Sequence, residues 1–530
     1  MFTIKNNTNQ KIGSTLVVDA LRQASVTKIF GYPGACILSL YNELAGIKDI
    51  NHCLCRHEQA CVHAAEGYAR ISGEVGVVLV TSGPGATNTV TGIANANADC
   101  TPLLIIAGAP NETEGKVFQN VDFEKMVSGI VKKFFTPTIN DNLFNVINEA
   151  ITLANSGKKG PVVVQVTRNL LEQTYTCSNN SFKLYKNDNN IFDAKEISGL
   201  IKSAKKPLFL IGGGCNDSFE EITNIATINK IHAVTTLMGV GNIKSSCPYY
   251  KGMIGVNGVD EANNLLYSSD LIIALGVSFG DRTTCKSELF ANGTPVININ
   301  LEPYKQNNVN VILEVNRDCN EVIKTLLNEH IVKETLSQIN KVNITSKHSK
   351  KMSAGEVLAT INKFTEKLSP IIITDVGQHQ MFAAQNFQFS KPRRFLTSGG
   401  LGTMGFGLPA SCGAHFAEPN TCIINITGDG SFQMNIQELA TVREYQIPVK
   451  IFVMNNGYLG MIRQTQEKLY GGKYYQSKMN NPDFITLAKG YDIKGFRVSS
   501  ISQLQEILPD IFNNNQPIIV DCTTDEFENV

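Results

Sequence analysis

The sequence predicts an α/β protein made of three doubly wound parallel-sheet domains, and three observations predict it. Short β-branched apolar runs recur along the chain, each followed by a glycine-rich turn and a helix-like segment. The runs are continuously apolar, which is how strands covered by helices on both faces read. At 530 residues the chain also exceeds the roughly 250–300 residues that one hydrophobic core organises.

Taken in order, the runs are GVVLVTSGPG at 76–85, PLLIIAGAP at 102–110 and GPVVVQV at 160–166, then PLFLIGGG at 207–214, LIIALGV at 271–277 and PVININ at 295–300. The last group is IIITDVG at 371–377, CIINITGDG at 422–430, VKIFVMNN at 449–456 and PIIVDC at 517–522. Function is expected at the carboxyl ends of these strands, where the glycine turns are. Two polar stretches break the rhythm, an Asn- and Ser-rich one at 174–190 and a Lys- and Asn-rich one at 328–351. Read as linkers, they divide the chain into domains at 1–174, 190–330 and 352–530, all of ordinary domain size. The first and third blocks resemble each other in outline, without a repeat at the level of residues.

Composition narrows the partners. Apolar residues make up 42 % and charged residues 18 %, and Lys+Arg balances Asp+Glu at 47 each, so no net field favours nucleic acid or an anionic membrane. Small molecules and copies of the chain itself are the expected partners. The N-terminus MFTIKNNTNQKIGS has no apolar segment after a basic start, and no run approaches the roughly 18 apolar residues of a membrane span. The expectation is a cytosolic protein. Its 13 cysteines form no CxxC pair and lie in apolar segments, as at Cys215, Cys412, Cys422 and Cys522, so reduced core thiols are expected. HEQACVH at 57–63 lacks the HExxH spacing of a zinc site.

One stretch demands a chemical explanation. ITGDGSFQM at 426–434 ends an apolar strand in Asp429, pinned between Gly428 and Gly430. A lone buried carboxylate costs several kcal/mol or takes up a proton, so something positive is expected to face it. The next strand ends in Asn455 and Asn456. An acid and an amide oxygen at adjacent strand ends suit Mg²⁺, which is held by one or two protein groups plus phosphate oxygens. The flanking glycines let backbone approach a phosphate, and a following helix start would aim N–H groups at it. A plain capped helix would explain Asp429 but not the Asn pair.

This spacing resembles that of thiamine-diphosphate enzymes, and over nearly its whole length the chain resembles the acetolactate (acetohydroxyacid) synthase large-subunit family. The resemblance is carried by GYPGA at 31–35, RHEQACVHAAEGYAR at 56–70, VTSGPGATNTVTGIANA at 80–96, FQ at 118–119, TLMGVG at 236–241, TDVGQHQMFAAQ at 374–385, LTSGGLGTMGFGLPA at 396–410 and NNGYLGMIRQ at 455–464. It implies the thiamine-diphosphate-binding fold, with the pyrimidine bound by the first domain and the diphosphate and Mg²⁺ by the third.

Residue by residue, the resemblance implies that Glu58 hydrogen-bonds the N1′ atom of the coenzyme's aminopyrimidine, so that the 4′-nitrogen can deprotonate the thiazolium carbon. That role requires a rigid carboxylate in a fairly dry pocket. On a helix starting near Arg56, Glu58 shares a face with Val62 and Ala65; a surface ion pair with Arg56 is the plain alternative. Met404 aligns with the bulky side chain beneath the coenzyme, against the alternative of an ordinary core methionine. Gly377, Gln378, His379, Gly402, Gly428, Gly430 and Ser431 fall on the coenzyme side, with His379 a donor to phosphate or to a substrate carboxylate. Asp429, Asn456 and Tyr458 become metal ligands, and Gln119 and Lys132 lie near the substrate entrance.

The middle block resembles the FAD domain of the biosynthetic members, where the flavin is idle in the main reaction. Gly212, Gly213, Leu237, Met238, Gly255, Asp281 and Arg282 carry that likeness. The departures are Lys158 for an arginine, VSFGDR for ARFDDR, and NINLE at 298–302 for HIDID, which removes an expected acidic ribose or adenine contact. A homodimer or homotetramer is implied, with the metal side of the coenzyme on a partner subunit and a small regulatory subunit left open.

The predicted reaction decarboxylates pyruvate and passes the two-carbon unit to a second keto compound. At the acceptor pocket the chain departs from the family again, reading RQTQE at 463–467 where RQWQE is usual, with Thr465 in place of tryptophan and no tryptophan anywhere. Ala35 and Cys36 replace a Gly-Ala pair, and Asn120 follows Phe118 and Gln119 where a glutamate is usual. Little preference for 2-ketobutyrate is expected. Acetolactate synthesis is the leading reading. Transfer to a nucleotide-linked keto-deoxysugar stands beside it, and a pyruvate oxidase or a silent cofactor-binding protein behind.

Overall fold

The computed structural model describes residues 10–111, 117–176, 192–285, 288–329 and 351–530. Most of the two polar stretches read as linkers lies outside the described residues. Three six-stranded sheets, every pairing in them parallel, carry the fold, and a short antiparallel pair joins Gln10–Ile12 to Thr174–Thr176.

Counting strands in chain order within each sheet, the first sheet (Lys28–Tyr32 to Pro161–Thr167) and the third (Ile371–Thr374 to Ile518–Thr523) share one order, 2-1-3-4-6-5. The outline likeness of the first and third blocks is therefore a shared topology. The middle sheet, from Pro207–Ile211 to Val311–Asn316, runs 3-2-1-4-5-6, the order of dinucleotide-binding folds. The central strands are buried along their length, as in Gly76–Val80, Pro207–Ile211 and Ile423–Gly428, which is why they read as unbroken apolar runs.

Each sheet has a switch point where its strand order reverses, and in open α/β sheets ligands bind in a crevice at the carboxyl ends beside such a point. In the first sheet it lies between Lys28–Tyr32 and Gly76–Val80, hence between the turns at 33–36 and 81–85. The middle sheet places it between Pro207–Ile211 and Leu271–Leu275, hence at Gly212–Gly214 and Gly276. In the third it lies between Ile371–Thr374 and Ile423–Gly428, hence at Asp375–Gly377 and Asp429.

By packing, the described chain divides into two compact units. One gathers the residues up to 176 with 400–420 and 435–447; the other gathers 192–399 with 421–434 and 448–530. Inside the first unit, the helices Glu58–Ser72 and Gly407–Ala417 cross at backbone contact. A Cβ on Gly413 would lie 1.7 Å from the Ala64 carbonyl oxygen, and one on Gly67 2.1 Å from that of Ala410. Only glycine permits this crossing. Among the described residues no helix is long and apolar enough to cross a membrane.

Candidate active site

In the first unit the candidate catalytic residue is Glu58. It is the first residue of the helix Glu58–Ser72, where the helix dipole favours a negative charge, and His57 caps the helix by accepting from the Gln59 N–H. The helix thus starts two residues later than the sequence predicts. Glu58 is half-buried, and Asn88 Nδ2 donates to its Oε2 at 2.9 Å. The other oxygen faces the glycine turn, since a Cβ on Gly85 would lie 3.5 Å from Oε1. Arg56 turns away to Glu444 and to the Leu54 carbonyl, which removes the surface ion pair as an explanation of Glu58. Asn88 was missed; its signal was the amide within the SGPGATN turn.

The residues on either side of Met404 are held by hydrogen bonds, one chain of which reaches the middle of the same helix. Thr403 Oγ1 donates to Asn95 Oδ1 at 2.9 Å, and Asn95 Nδ2 donates to Glu66 Oε2 at 2.7 Å. Asn435 Nδ2 holds the Gly405 carbonyl at 2.7 Å. Gly402 has φ +80°, a left-handed turn that suits glycine.

The pocket residues of the first switch point also meet. Cys36 Sγ lies 3.1 Å from Ser82 Oγ, which donates to Gln119 Oε1 at 3.4 Å. Gln119 sits at φ +60°, a costly conformation for a non-glycine residue and one that clusters at functional sites. Ala35 is exposed, and Phe118 is 83 % exposed. Ser82 joins these residues and was missed. Lys132 is anchored at a helix end: its ammonium donates to the Leu153 and Ser156 carbonyls at 2.6 and 2.7 Å, at the C-terminal end of the helix Leu143–Asn155, where a cation meets unpaired carbonyls.

In the second unit, Asp429 is 2 % exposed. No lysine or arginine is drawn into an ion pair with it among the described residues; its protein partners are a ring of neutral donors. Gly457 N–H donates at 2.8 Å, Gly430 N–H at 3.0 Å and Asn481 Nδ2 at 2.6 Å. Desolvation outweighs these donors and pushes the carboxyl up to about 6. Asn481 was missed, because MNNPDF lies in a loop remote in sequence from the GDG turn. Asn455 is engaged by Asp521 and Asn481, while Asn456 Oδ1 accepts from the Tyr458 N–H at 2.9 Å.

The residues that the resemblance assigns to the diphosphate side converge on the same strand ends. The His379 ring packs against Gly377 and Gly428, where an added Cβ would come within 2.8 and 2.9 Å of it. Burial drives its pKa down to about 3, with a bond to the Asp375 backbone opposing, and its Nε2 is buried without a partner. Ser431 Oγ donates to the Val376 carbonyl. Gln378 Nε2 is held by Gln464 Oε1 at 2.9 Å and the Glu528 carbonyl at 2.8 Å. Thr465 is exposed, its hydroxyl bonded back to the Met461 carbonyl.

The second unit therefore offers a cation one buried carboxylate plus amide and backbone oxygens, beside an unpartnered imidazole nitrogen and two glycines. Among the described residues no group of three or more His, Cys, Asp or Glu could hold a metal, so any cation here needs ligands of that mixed, hard-oxygen kind.

In the middle sheet, Met238 packs on Gly213, and Gly255 at φ +107° approaches the Arg282 carbonyl, which accepts from the Val256 N–H. Asp281 and Arg282 are exposed, and Leu237 is half-buried. Asn300, standing where an acid is usual, donates to the Val277 carbonyl and accepts from the Leu301 N–H.

Comparison with known proteins decides the family. Models of the thiamine pyrophosphate enzymes match three segments: the N-terminal TPP-binding domain at 12–126, the central domain at 194–326 and the C-terminal TPP-binding domain at 375–522. The chain is 36 % identical to the acetolactate synthase large subunit of Haemophilus influenzae, covering 98 % of this chain and 95 % of that one. The chain belongs to the acetolactate synthase large-subunit family. It is also 36 % identical to the isozyme 3 large subunit of Escherichia coli, over 98 % of this chain and 96 % of that one. A solved thiamine diphosphate-dependent 4-hydroxybenzoylformate decarboxylase from Rhodococcus jostii shares the fold at TM-score 0.84 and 20 % identity, covering 97 % of this chain and 99 % of that one. The chain is thus a thiamine-diphosphate-dependent enzyme of the acetolactate synthase type, with the fold class its apolar runs predicted.

Proposed function

We propose that the chain is the catalytic subunit of an acetolactate synthase, which decarboxylates pyruvate and joins the two-carbon unit to a second keto acid. The observation that carries this reading is Asp429, buried and ringed only by neutral N–H donors. A carboxylate kept in that state is best explained by a cation and its phosphates. Asp429, Asn456 and the backbone of Tyr458 would hold Mg²⁺. Gly377, Gln378, His379, Gly428, Gly430 and Ser431 would hold the diphosphate.

When bound, thiamine diphosphate supplies an acidic thiazolium C–H and an electron sink for decarboxylation. Glu58 holds and exchanges a proton at the N1′ nitrogen of the aminopyrimidine, with Asn88 fixing its second oxygen. Gly402 and Met404 orient the coenzyme. Ala35, Cys36, Phe118 and Gln119 shape the side where the substrate enters, and Thr465 the acceptor side.

We further infer domains at 1–174, 190–330 and 352–530 and a homodimer or homotetramer, with Glu58 of one subunit serving the coenzyme on its partner. A small regulatory subunit fits relatives named as large subunits. The middle domain is proposed to bind FAD in a non-redox role through Gly212, Gly213, Leu237, Met238, Gly255, Asp281 and Arg282. Because Asn300 is committed to backbone groups, that FAD site lacks the family's acidic contact.

The test is pyruvate added under air to protein loaded with thiamine diphosphate, Mg²⁺ and FAD. CO₂ release with acetolactate and no flavin bleaching is expected. Bleaching with oxygen uptake would mark an oxidase. The open position at Thr465 supports one rival, transfer to a nucleotide-linked keto-deoxysugar, which would dominate the products when both acceptors are offered.

A further inference from the structure

Asn51–Leu54 is an edge strand of the first sheet, and the residues that carry it on to the helix at Glu58 leave their outer backbone groups without a neighbouring strand. Side chains from the segment 435–447 stand in for one. Leu54 N–H donates to Tyr445 Oη at 2.8 Å, and Arg56 N–H donates to Glu438 Oε1 at 2.9 Å. Thr441 Oγ1 donates to Oε2 at 2.6 Å. Glu438 is 0 % exposed, and an apolar residue in its place would leave the Arg56 N–H without its acceptor.

That N–H belongs to Arg56, two residues before Glu58. His57 is extended, at φ −154° and ψ 142°, and the next residue opens the helix. The dipeptide therefore sets the direction in which Glu58 leaves the first turn. We propose that Glu438 is a positioning residue for Glu58, its carboxylate clamping the Arg56–His57 turn so that the Glu58 side chain is held in one direction. The inference rests on the proposed role of Glu58 in exchanging a proton with the coenzyme.

Burial pushes Glu438 up to about 7, so the clamp alternates between carboxylate and weaker-accepting carboxyl near neutral pH. The groups facing it are the Arg56 guanidinium, which favours its charge and is itself paired with Glu444, and the thiols of Cys53, Cys55, Cys61 and Cys412, which hydrogen bonding among the first three together with burial keeps protonated.

The experiment compares wild type with Glu438→Gln and Glu438→Ala. In coenzyme-free protein, amide hydrogen exchange of the peptide spanning 54–60 is expected to speed up about tenfold in Glu438→Ala, and less in Glu438→Gln. In loaded Glu438→Gln, exchange of the coenzyme's thiazolium proton, followed by quenched-flow NMR, is expected to slow about 10- to 100-fold while Mg²⁺–coenzyme affinity stays within about twofold of wild type. The fall in that exchange rate as pH drops through about 7 should be present in wild type and absent from Glu438→Gln. Wild-type exchange at both levels in Glu438→Gln, which preserves shape, overturns the proposal even if Glu438→Ala fails to fold. Glu58→Gln, measured alongside, separates the two claims. Wild-type proton exchange there sinks the role of Glu58, whereas slow exchange there with wild-type behaviour in Glu438→Gln sinks the clamp alone.

Discussion

At the scale of single residues, the account turns on charges held in dry places. Glu58→Gln keeps the shape of the carboxylate but cannot exchange a proton, so turnover should fall by two or more orders of magnitude, about 10²–10⁴-fold for a lost acid–base group, with Mg²⁺–coenzyme binding by calorimetry retained. Asp429→Asn should do the reverse, abolishing coenzyme retention. The same variant should stabilise the coenzyme-free protein. Burial raises the Asp429 pKa from 3.8 to about 6, so the fold prefers the protonated form. The stability from that proton is complete below about 4 and is lost as pH rises through about 6. Above that, the ionised group costs on the order of 3 kcal/mol, taking about 1.4 kcal/mol per pKa unit. Thermal unfolding should therefore show Asp429→Asn above wild type at pH 8, with the gap closing toward pH 4. A gap that is constant with pH would show that desolvation is not the cause. Thr465→Trp should rebuild an apolar wall and raise the 2-ketobutyrate-to-pyruvate acceptor ratio, by about 10-fold or more, read by mass analysis of the products.

At the scale of elements, the helix Glu58–Ser72 does most of the positioning, and it is set by its crossing with Gly407–Ala417. Gly413→Val would put side-chain atoms onto the Ala64 carbonyl, which an added Cβ alone would already approach to 1.7 Å. A loss of at least about 2 kcal/mol is expected, seen as a lower unfolding temperature, and activity should fall with it because Glu58 rides on the displaced helix. The strands of these sheets were legible because burial on both faces leaves continuous apolar runs, and the GDG turn and Asn pair were legible because adjacent parallel strands end side by side. Asn481, Asn88 and Ser82 were not. Each is a short polar side chain in a loop, brought in from a distance in sequence by tertiary folding, and no periodicity marks it. The helix-end bonds of Lys132 were hidden for the same reason, since its acceptors at Leu153 and Ser156 lie some twenty residues on.

At the scale of the whole molecule, one strand order serves twice. The first and third sheets both run 2-1-3-4-6-5, and the middle sheet runs 3-2-1-4-5-6, so each has a crevice at its own switch point. Residues proposed for the pyrimidine side, the flavin and the diphosphate fall at or beside these crevices. The shared order was invisible as a repeat because topology constrains where apolar runs fall and not which residues fill them. Two conditions follow if the three crevices serve one carboligase: activity needs Mg²⁺ and thiamine diphosphate, and flavin redox state should not change during turnover. The most direct measurement feeds pyruvate alone to the loaded enzyme and quantifies CO₂, acetolactate and acetaldehyde by mass, with Glu58→Gln as the control. The account predicts one CO₂ for each acetolactate formed, no accumulation of acetaldehyde, and almost no product from the variant. CO₂ matched by acetaldehyde or by oxygen uptake in place of acetolactate, or a Glu58→Gln protein as active as wild type, would contradict it.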